Sequence, residues 1–288
     1  MRTVIVTGVS TGIGHGVAKV LLERGFRVCG SVRNKEDAER LGAEWGESFT
    51  ALQFDITDER AVKESAAVVE KALAGETLSG LVNNAGVAVP GPLIYLPIDD
   101  FRRQIEVNLT GALIVTQAFV GLLRSDEKHT GRPGRIVNIS SIGGRMAGPF
   151  LGAYSASKFA LEGLSESLRR ELMIHGIDVI VVGPGAVSTP IWDKAEQLDT
   201  SPFEKTEYAR SLESFRSYML RNGRNGYPAE RIGRVVAKAL TASNPRTRYG
   251  FSVVPQPLRN WVIPQLVSKR TADRFVARSL GLNPKRPN

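Results

Sequence analysis

The chain opens on an apolar run, RTVIVTG (2–8), closed by glycine as a buried strand would be. It passes at once into GIGHGVAKVLLERG (12–25), where Ile13, Val17, Val20 and Leu21 share one helical stripe before Gly25 stops it. This order of strand, glycine-rich turn and helix then recurs. The pattern predicts a strand at 26–32, a helix near 34–44, a strand at 49–54, a helix at 58–74, a strand at 80–86 and a long helix near 99–124. It continues with a strand at 134–141, a helix at 153–175, a strand at 177–185, an irregular stretch to about 226, a helix at 228–242 and a strand at 249–254. About seven strands alternating with helices predict the α/β class, a doubly wound, mostly parallel sheet with helices on both faces. No repeat of solenoid length interrupts it.

A length of 288 residues suits one large domain, expected over 1–256 with a C-terminal helical extension at 257–288. The composition, 42% hydrophobic and 23% charged, is that of an ordinary soluble chain. The single cysteine, Cys29, can form no internal disulfide and reads as a buried strand residue. No stretch resembles a signal peptide or an apolar run of about 20 residues that could span a bilayer, so the cytoplasm is the expected compartment. The net charge of +9 is dispersed without an aromatic-interleaved basic patch, which argues against nucleic acid and leaves an anionic cofactor as the simpler source of local positive charge. His15, His129 and His175 have no partners at metal-ligand spacing, and no metal is expected.

In doubly wound sheets ligands bind beyond the carboxyl ends of the strands, and there TGVSTGIG (7–14) joins the first strand to the first helix. A pyrophosphate needs backbone N–H groups at a helix N-terminus with no Cβ in the way, which Gly8, Gly12 and Gly14 permit. A tight turn alone would look similar. The strand-turn-helix context favours dinucleotide binding.

With NNAG (83–86), Asn108, NISS (138–141), Tyr154 with Lys158, and PGAVST (184–189), this turn resembles the short-chain dehydrogenase/reductase family in its single-domain, Rossmann-type form, over nearly the whole chain. The resemblance implies an oxidoreductase similar to relatives acting on steroids, retinoids and hydrophobic carbonyls. It also implies a nicotinamide dinucleotide held by Gly8, Ser10, Thr11, Gly12, Ile13 and Gly14, by Asp55 and Ile56 after the third strand, by Asn83, Ala85 and Gly86, and by Pro184, Gly185, Val187 and Thr189. Asp55 reads equally as a turn-capping residue. At the end of the second strand Val32 stands where a ribose-binding carboxylate would be expected, followed by Arg33. The guanidinium, with Ser31 and Ser10 as hydroxyl donors, favours the 2′-phosphate of NADP(H) over NAD(H).

Tyr154 and Lys158 lie one helical turn apart, the spacing also found for a packing tyrosine beside a solvated lysine. Read chemically, a phenol of ordinary pKa near 10 becomes an acid/base group if the ammonium stabilises its phenolate. Tyr154 would give a proton to the carbonyl oxygen as hydride reaches its carbon. The resemblance places Ser141, rather than Ser140, as the orienting hydroxyl, gives Lys158 the nicotinamide ribose, and gives Asn108 a water in the proton relay.

Residues 186–226 are expected to form a substrate lid, with Trp192, Phe203, Tyr208, Phe215, Tyr218 and Met219 facing a bulky apolar ketone, aldehyde or alcohol or else packing a helix on the body. Met146 and Phe150 would line the opposite wall. In 257–282, Trp261, Ile263, Leu266, Val267, Phe275 and Val276 suggest amphipathic helices, with Lys269, Arg270, Arg274 and Arg278 on the wet side. Docking on the substrate entrance is preferred to a membrane surface because Pro264 and Asp273 break a uniform cationic face. By analogy with the family, the two long helices would pair copies into a homodimer or homotetramer.

Overall fold

The computed structural model describes residues 1–197, 199–250 and 268–282. Strands β1 (Thr3–Val6), β2 (Arg27–Val32), β3 (Phe49–Gln53), β4 (Gly80–Asn83), β5 (Arg135–Ile139) and β6 (Asp178–Val182) alternate with helices α1 (Gly12–Glu23), α2 (Lys35–Trp45), α3 (Glu59–Leu73), α4 (Ile98–Ile105), α5 (Gly111–Leu123) and α6 (Gly152–Glu171). A second pair of strands, β7 (Val187–Ser188) and β8 (Tyr227–Pro228), brackets α7 (Ile191–Glu196) and α8 (Ala209–Arg224). Helix α9 (Ala229–Thr241), strand β9 (Arg248–Tyr249) and helix α10 (Lys269–Leu280) follow.

The main sheet has seven strands in the order β3-β2-β1-β4-β5-β6-β9, and every neighbouring pair is parallel. Such a sheet needs cover on both faces, which is why its strands read as continuous apolar runs rather than alternating ones. Val4, Val6, Val28, Val82, Val137 and Val182 pack with α1 and α9 on one face. Ile5, Cys29, Leu52, Leu81, Ile136 and Val179 pack with α3 and α5 on the other. Because strand order reverses between β1 and β4, a crevice opens at their carboxyl ends, where the glycine turn and the ends of β4 and β5 meet.

Three expectations change. The stretch 186–226 is not irregular. Leu212 and Phe215 are buried on the 16-residue helix α8 and join Leu96, Phe150, Ala153 and Phe203 in a third apolar cluster, so these aromatics pack that helix on the body. The long helix at 99–124 runs over 98–123 but is interrupted by a π-helical turn, Glu106–Thr110. By length and composition Ile98–Leu123 is also apolar enough to cross a membrane, contrary to the expectation that no stretch of the chain is. Here Val115, Phe119, Leu122 and Leu123 are spent on the core. On α10, Phe275 is 74% exposed rather than on the docked side, while Leu280 and Leu282 pack against the third cluster. Residues 251–254 of the last strand, with Trp261, Ile263, Leu266 and Val267, lie outside the described residues.

Candidate active site

The glycine turn is held open from three sides. Ser31 Oγ accepts the Gly8 N–H at 2.9 Å, and Thr7 Oγ1 accepts the N–H groups of Asn84 and Ala85 at 2.9 and 3.0 Å. Asn84 Nδ2 donates to the carbonyls of Thr7 and Gly8 at 2.8 and 3.2 Å. Gly8 and Gly12 have φ of 70° and 66°, a region L side chains rarely occupy, and a Cβ on Gly14 would collide with the Gly8 carbonyl oxygen and Asn84 Nδ2. The turn feeds α1, whose N-cap residue Thr11 makes no side-chain cap and whose first turn carries no acidic residue. Its leading N–H groups and the positive end of the helix dipole are therefore offered to an outside anion, and the residues present fit a dinucleotide pyrophosphate. Thr189 lies across this turn, its Cβ 3.6 Å from where a Gly12 side chain would begin. Pro184 is buried with its carbonyl accepting the Ile142 N–H, and Gly185 is half-buried beside it.

Most of the other predicted cofactor residues are engaged within the chain. Ser31 is buried against Gly8, so it secures the turn instead of facing solvent. Asn83 is turned inward, its Nδ2 donating to Thr116 Oγ1 at 3.0 Å and Asn138 Oδ1 at 2.8 Å. The next residue, Asn84, is the one whose amide reaches the turn. Asp55 caps its own turn, with Oδ1 accepting from the backbone and hydroxyl of Thr57. Ile56 is buried against Gly111, and Ile13 packs on the core. Arg33 is exposed and has no ion pair among the described residues. Arg40, which sequence reasoning passed over, donates to the Ser10 carbonyl at 2.9 Å from α2 and pairs with Asp37.

The reacting groups come together at the ends of β5 and α6. Ser141 leads a 3-10 turn, its Oγ accepting the Gly143 N–H at 3.0 Å, and its hydroxyl hydrogen-bonds the Tyr154 phenol. Ser140 points away into the interior, where its hydroxyl is buried without a partner. Lys158 Nζ lies 5.9 Å from the Tyr154 ring centroid and donates to the Ile139 carbonyl at 2.9 Å.

Burial acts on both members of this pair. Tyr154 as a residue is only half-buried, yet its hydroxyl is enclosed, and burial pushes the phenol above its ordinary pKa. The Ser141 hydrogen bond is what opposes this. Lys158, 5% exposed, is pulled by burial down to about 8, with the Glu162 carboxylate pulling the other way. Burial thus favours the neutral form of both groups.

Asn108 sits in the π-helical turn, a backbone irregularity that is frequent at functional sites. Its Oδ1 accepts the Val87 N–H at 2.8 Å, and its Nδ2 donates to the Val87 carbonyl at 3.0 Å and Ser157 Oγ at 3.1 Å. Both amide hydrogens are therefore used in tying the segment after β4 to α6, and the side chain has none left to donate to a relay water. Gln104, one turn earlier, secures Val87 and Val89 in the same way.

On the substrate side Met146 is exposed, while Phe150 is buried at φ 64° against Phe215 and Tyr208. Trp192 donates to the Val187 carbonyl at 2.7 Å and fills the space over Gly223, which makes it a packing residue of α7 and α8. Leu93, which the sequence reading did not select, is 55% exposed and rests on Gly152, two residues before Tyr154.

Comparison with known proteins agrees with this geometry. The family model for short chain dehydrogenases matches residues 2–199. An NADPH-dependent 3-dehydrocapnine reductase of Ornithobacterium rhinotracheale is 37% identical over 280 residues, 97% of this chain and 98% of that protein. Human retinol dehydrogenase 5 is 36% identical over 259 residues, 85% of this chain and 79% of that one. Among solved structures, a short-chain dehydrogenase from Streptomyces avermitilis superposes with a TM-score of 0.73 at 24% identity, covering 99% of this chain and 98% of the other.

Proposed function

The chain belongs to the short-chain dehydrogenase/reductase family and is an oxidoreductase, and we propose that within it the protein uses NADP(H) to interconvert a bulky apolar ketone or aldehyde and its alcohol. The observation that carries this reading is the Ser141 hydroxyl hydrogen-bonded to the Tyr154 phenol, beside the uncapped N-terminal end of α1. A bound nicotinamide dinucleotide supplies the hydride. The chain's own part is to bind, to orient and to move one proton. Burial keeps Tyr154 protonated at neutral pH, the form needed to donate to a carbonyl oxygen as negative charge develops on it. Ser141 donates to the same oxygen and fixes its position. Alcohol oxidation requires the phenolate, and Lys158 is the cation at hand to favour it.

NADP(H) is supported by Arg33, exposed and without an ion pair at the end of β2 where NAD(H)-binding chains carry a carboxylate, and by the NADPH-dependent relative that aligns over almost the whole chain. An apolar substrate is supported by Leu93 and Met146, exposed apolar side chains on the segments flanking Ser141 and Tyr154. The test is NADPH oxidation against a panel of steroid, retinoid and aromatic ketones. Tyr154→Phe should lower kcat by at least about 100-fold with NADPH binding retained, and Arg33→Asp should weaken NADPH binding relative to NADH. Substantial turnover in Tyr154→Phe would remove the tyrosine as proton donor. Binding without turnover across the panel would replace the enzyme reading by a dinucleotide sensor.

A further inference from the structure

One buried charged cluster beside the site has no part in the reading above. Glu162, on α6 one helical turn beyond Lys158, receives a bidentate ion pair from Arg248 of β9, with Nε to Oε2 and Nη2 to Oε1 both at 2.9 Å. The two side chains are 15% and 13% exposed, and they join residues 86 positions apart in the chain. We propose that Glu162 is a positioning residue for Lys158, and that Arg248 sets how much of its negative charge the lysine feels.

The packing around the pair argues for a built device. A Cβ on Gly183 or on Gly250 would collide with the Arg248 guanidinium, so the fork lies in a slot that two glycines leave open. A Cβ on Gly144 would come within 3.2 Å of Glu162 Cγ and 3.0 Å of the Lys158 carbonyl, so the turn carrying Ser141 rests directly on this cluster. The charged and titratable groups facing it are Lys158 and Tyr154 from α6, Arg145 from the Ser141 turn with Nε 3.8 Å from Glu162, and Arg248 from β9. From β5 the lysine meets the Ile139 carbonyl. Among the described residues, Glu162 is the charge that supports the protonated lysine against burial. A buried pair of this kind is weak evidence for stabilisation, because desolvating two charges offsets much of their attraction. Keeping a nearby ammonium charged is a use that an apolar replacement could not serve.

The inference rests on the reductase reading, so its test observes Lys158 directly as well as through turnover. In the full-length protein with isotope-labelled lysine, the Lys158 side-chain resonance, assigned by its loss in Lys158→Met, is titrated by NMR. Glu162→Gln should move the midpoint down by about one pH unit. Arg248→Met, which leaves the carboxylate unneutralised, should move it up. The alkaline limb of kcat/KM for alcohol oxidation with NADP+, the direction that needs the charged lysine, should follow in both directions. A pair that merely ties β9 to α6 predicts lower thermal stability in both variants and no movement of either readout. Unmoved midpoints, or movement in the same direction in both variants, would overturn the proposal. If either variant does not fold, Glu162→Asp decides: withdrawing the carboxylate by one methylene should lower the midpoint by less than glutamine would, and an unmoved midpoint refutes. The expected shifts in a protein that reduces no ketone would remove the reductase reading and leave this one standing.

Discussion

Replacing Lys158 by methionine should remove a specific dependence of folding stability on pH. The ammonium is buried, bound to the Ile139 carbonyl and pulled down to about 8 from an ordinary 10.5. Below about pH 8 the lysine is charged both folded and unfolded, and the folded state carries the full desolvation cost. Above it the folded state releases the proton while the unfolded chain still holds it, so the unfolded state binds more protons and stability rises with pH. The gain is complete only above the unfolded pKa and is lost again as pH falls through the folded one. A full displacement of about 2.5 pH units corresponds to roughly 3 kcal/mol, of which about 2 should be visible between pH 7 and pH 9.5. Urea unfolding of the cofactor-free protein and of Lys158→Met over that interval isolates the effect, since every other titrating group cancels in the difference. The wild type should gain about 2 kcal/mol relative to the variant. A flat difference would show that the ammonium is solvated, and the electrostatic account of the site would fail with it.

Three further outcomes follow from packing. Gly14→Ala should destabilise by about 3 kcal/mol or more and abolish dinucleotide binding, because its Cβ would meet the Gly8 carbonyl and Asn84 Nδ2, neither of which can retreat; near-native melting with retained NADPH affinity would contradict the assigned turn. Gly223→Ala should displace the Trp192 ring and break its bond to Val187, costing about 1–3 kcal/mol by chemical denaturation and shifting the indole fluorescence. Cys29 is 2% exposed and its thiol is pushed up to about 11, so it should resist a disulfide reagent at pH 8 in the native protein and react at once in urea; rapid native labelling would place it outside the core.

The sheet was legible because burial on both faces makes each strand a short apolar run, and the strand boundaries expected from those runs fall within a few residues of the structure. Helix α8 was not, although Leu212, Phe215 and Met219 stand at helical spacing. Its remaining positions are polar or charged, and the aromatics just before it suggested a lid rather than a packed face. The residues that shape the site were least legible. Asn84 matters through a contact spanning 77 positions, and Glu162 through one spanning 86. No local pattern encodes such pairs; only the crossover order of the strands brings them together.

The same long-range pairing decides how the acid/base centre works. Local sequence puts a phenol and an ammonium one turn apart, and spacing alone suggests that the cation activates the phenol. The fold instead encloses both, so desolvation raises the tyrosine, lowers the lysine and draws each toward its neutral form. A neutral phenol is ready to donate a proton but not to take one. On the reductase reading proposed above, this state favours carbonyl reduction, and the reverse reaction depends on whatever keeps the lysine charged. Among the charged side chains of the described residues only Glu162 acts in that sense on Lys158, and its partner Arg248 comes from the last strand of the sheet. On the same reading, the balance between the two directions is set by a contact between α6 and β9, outside every motif that identified the site.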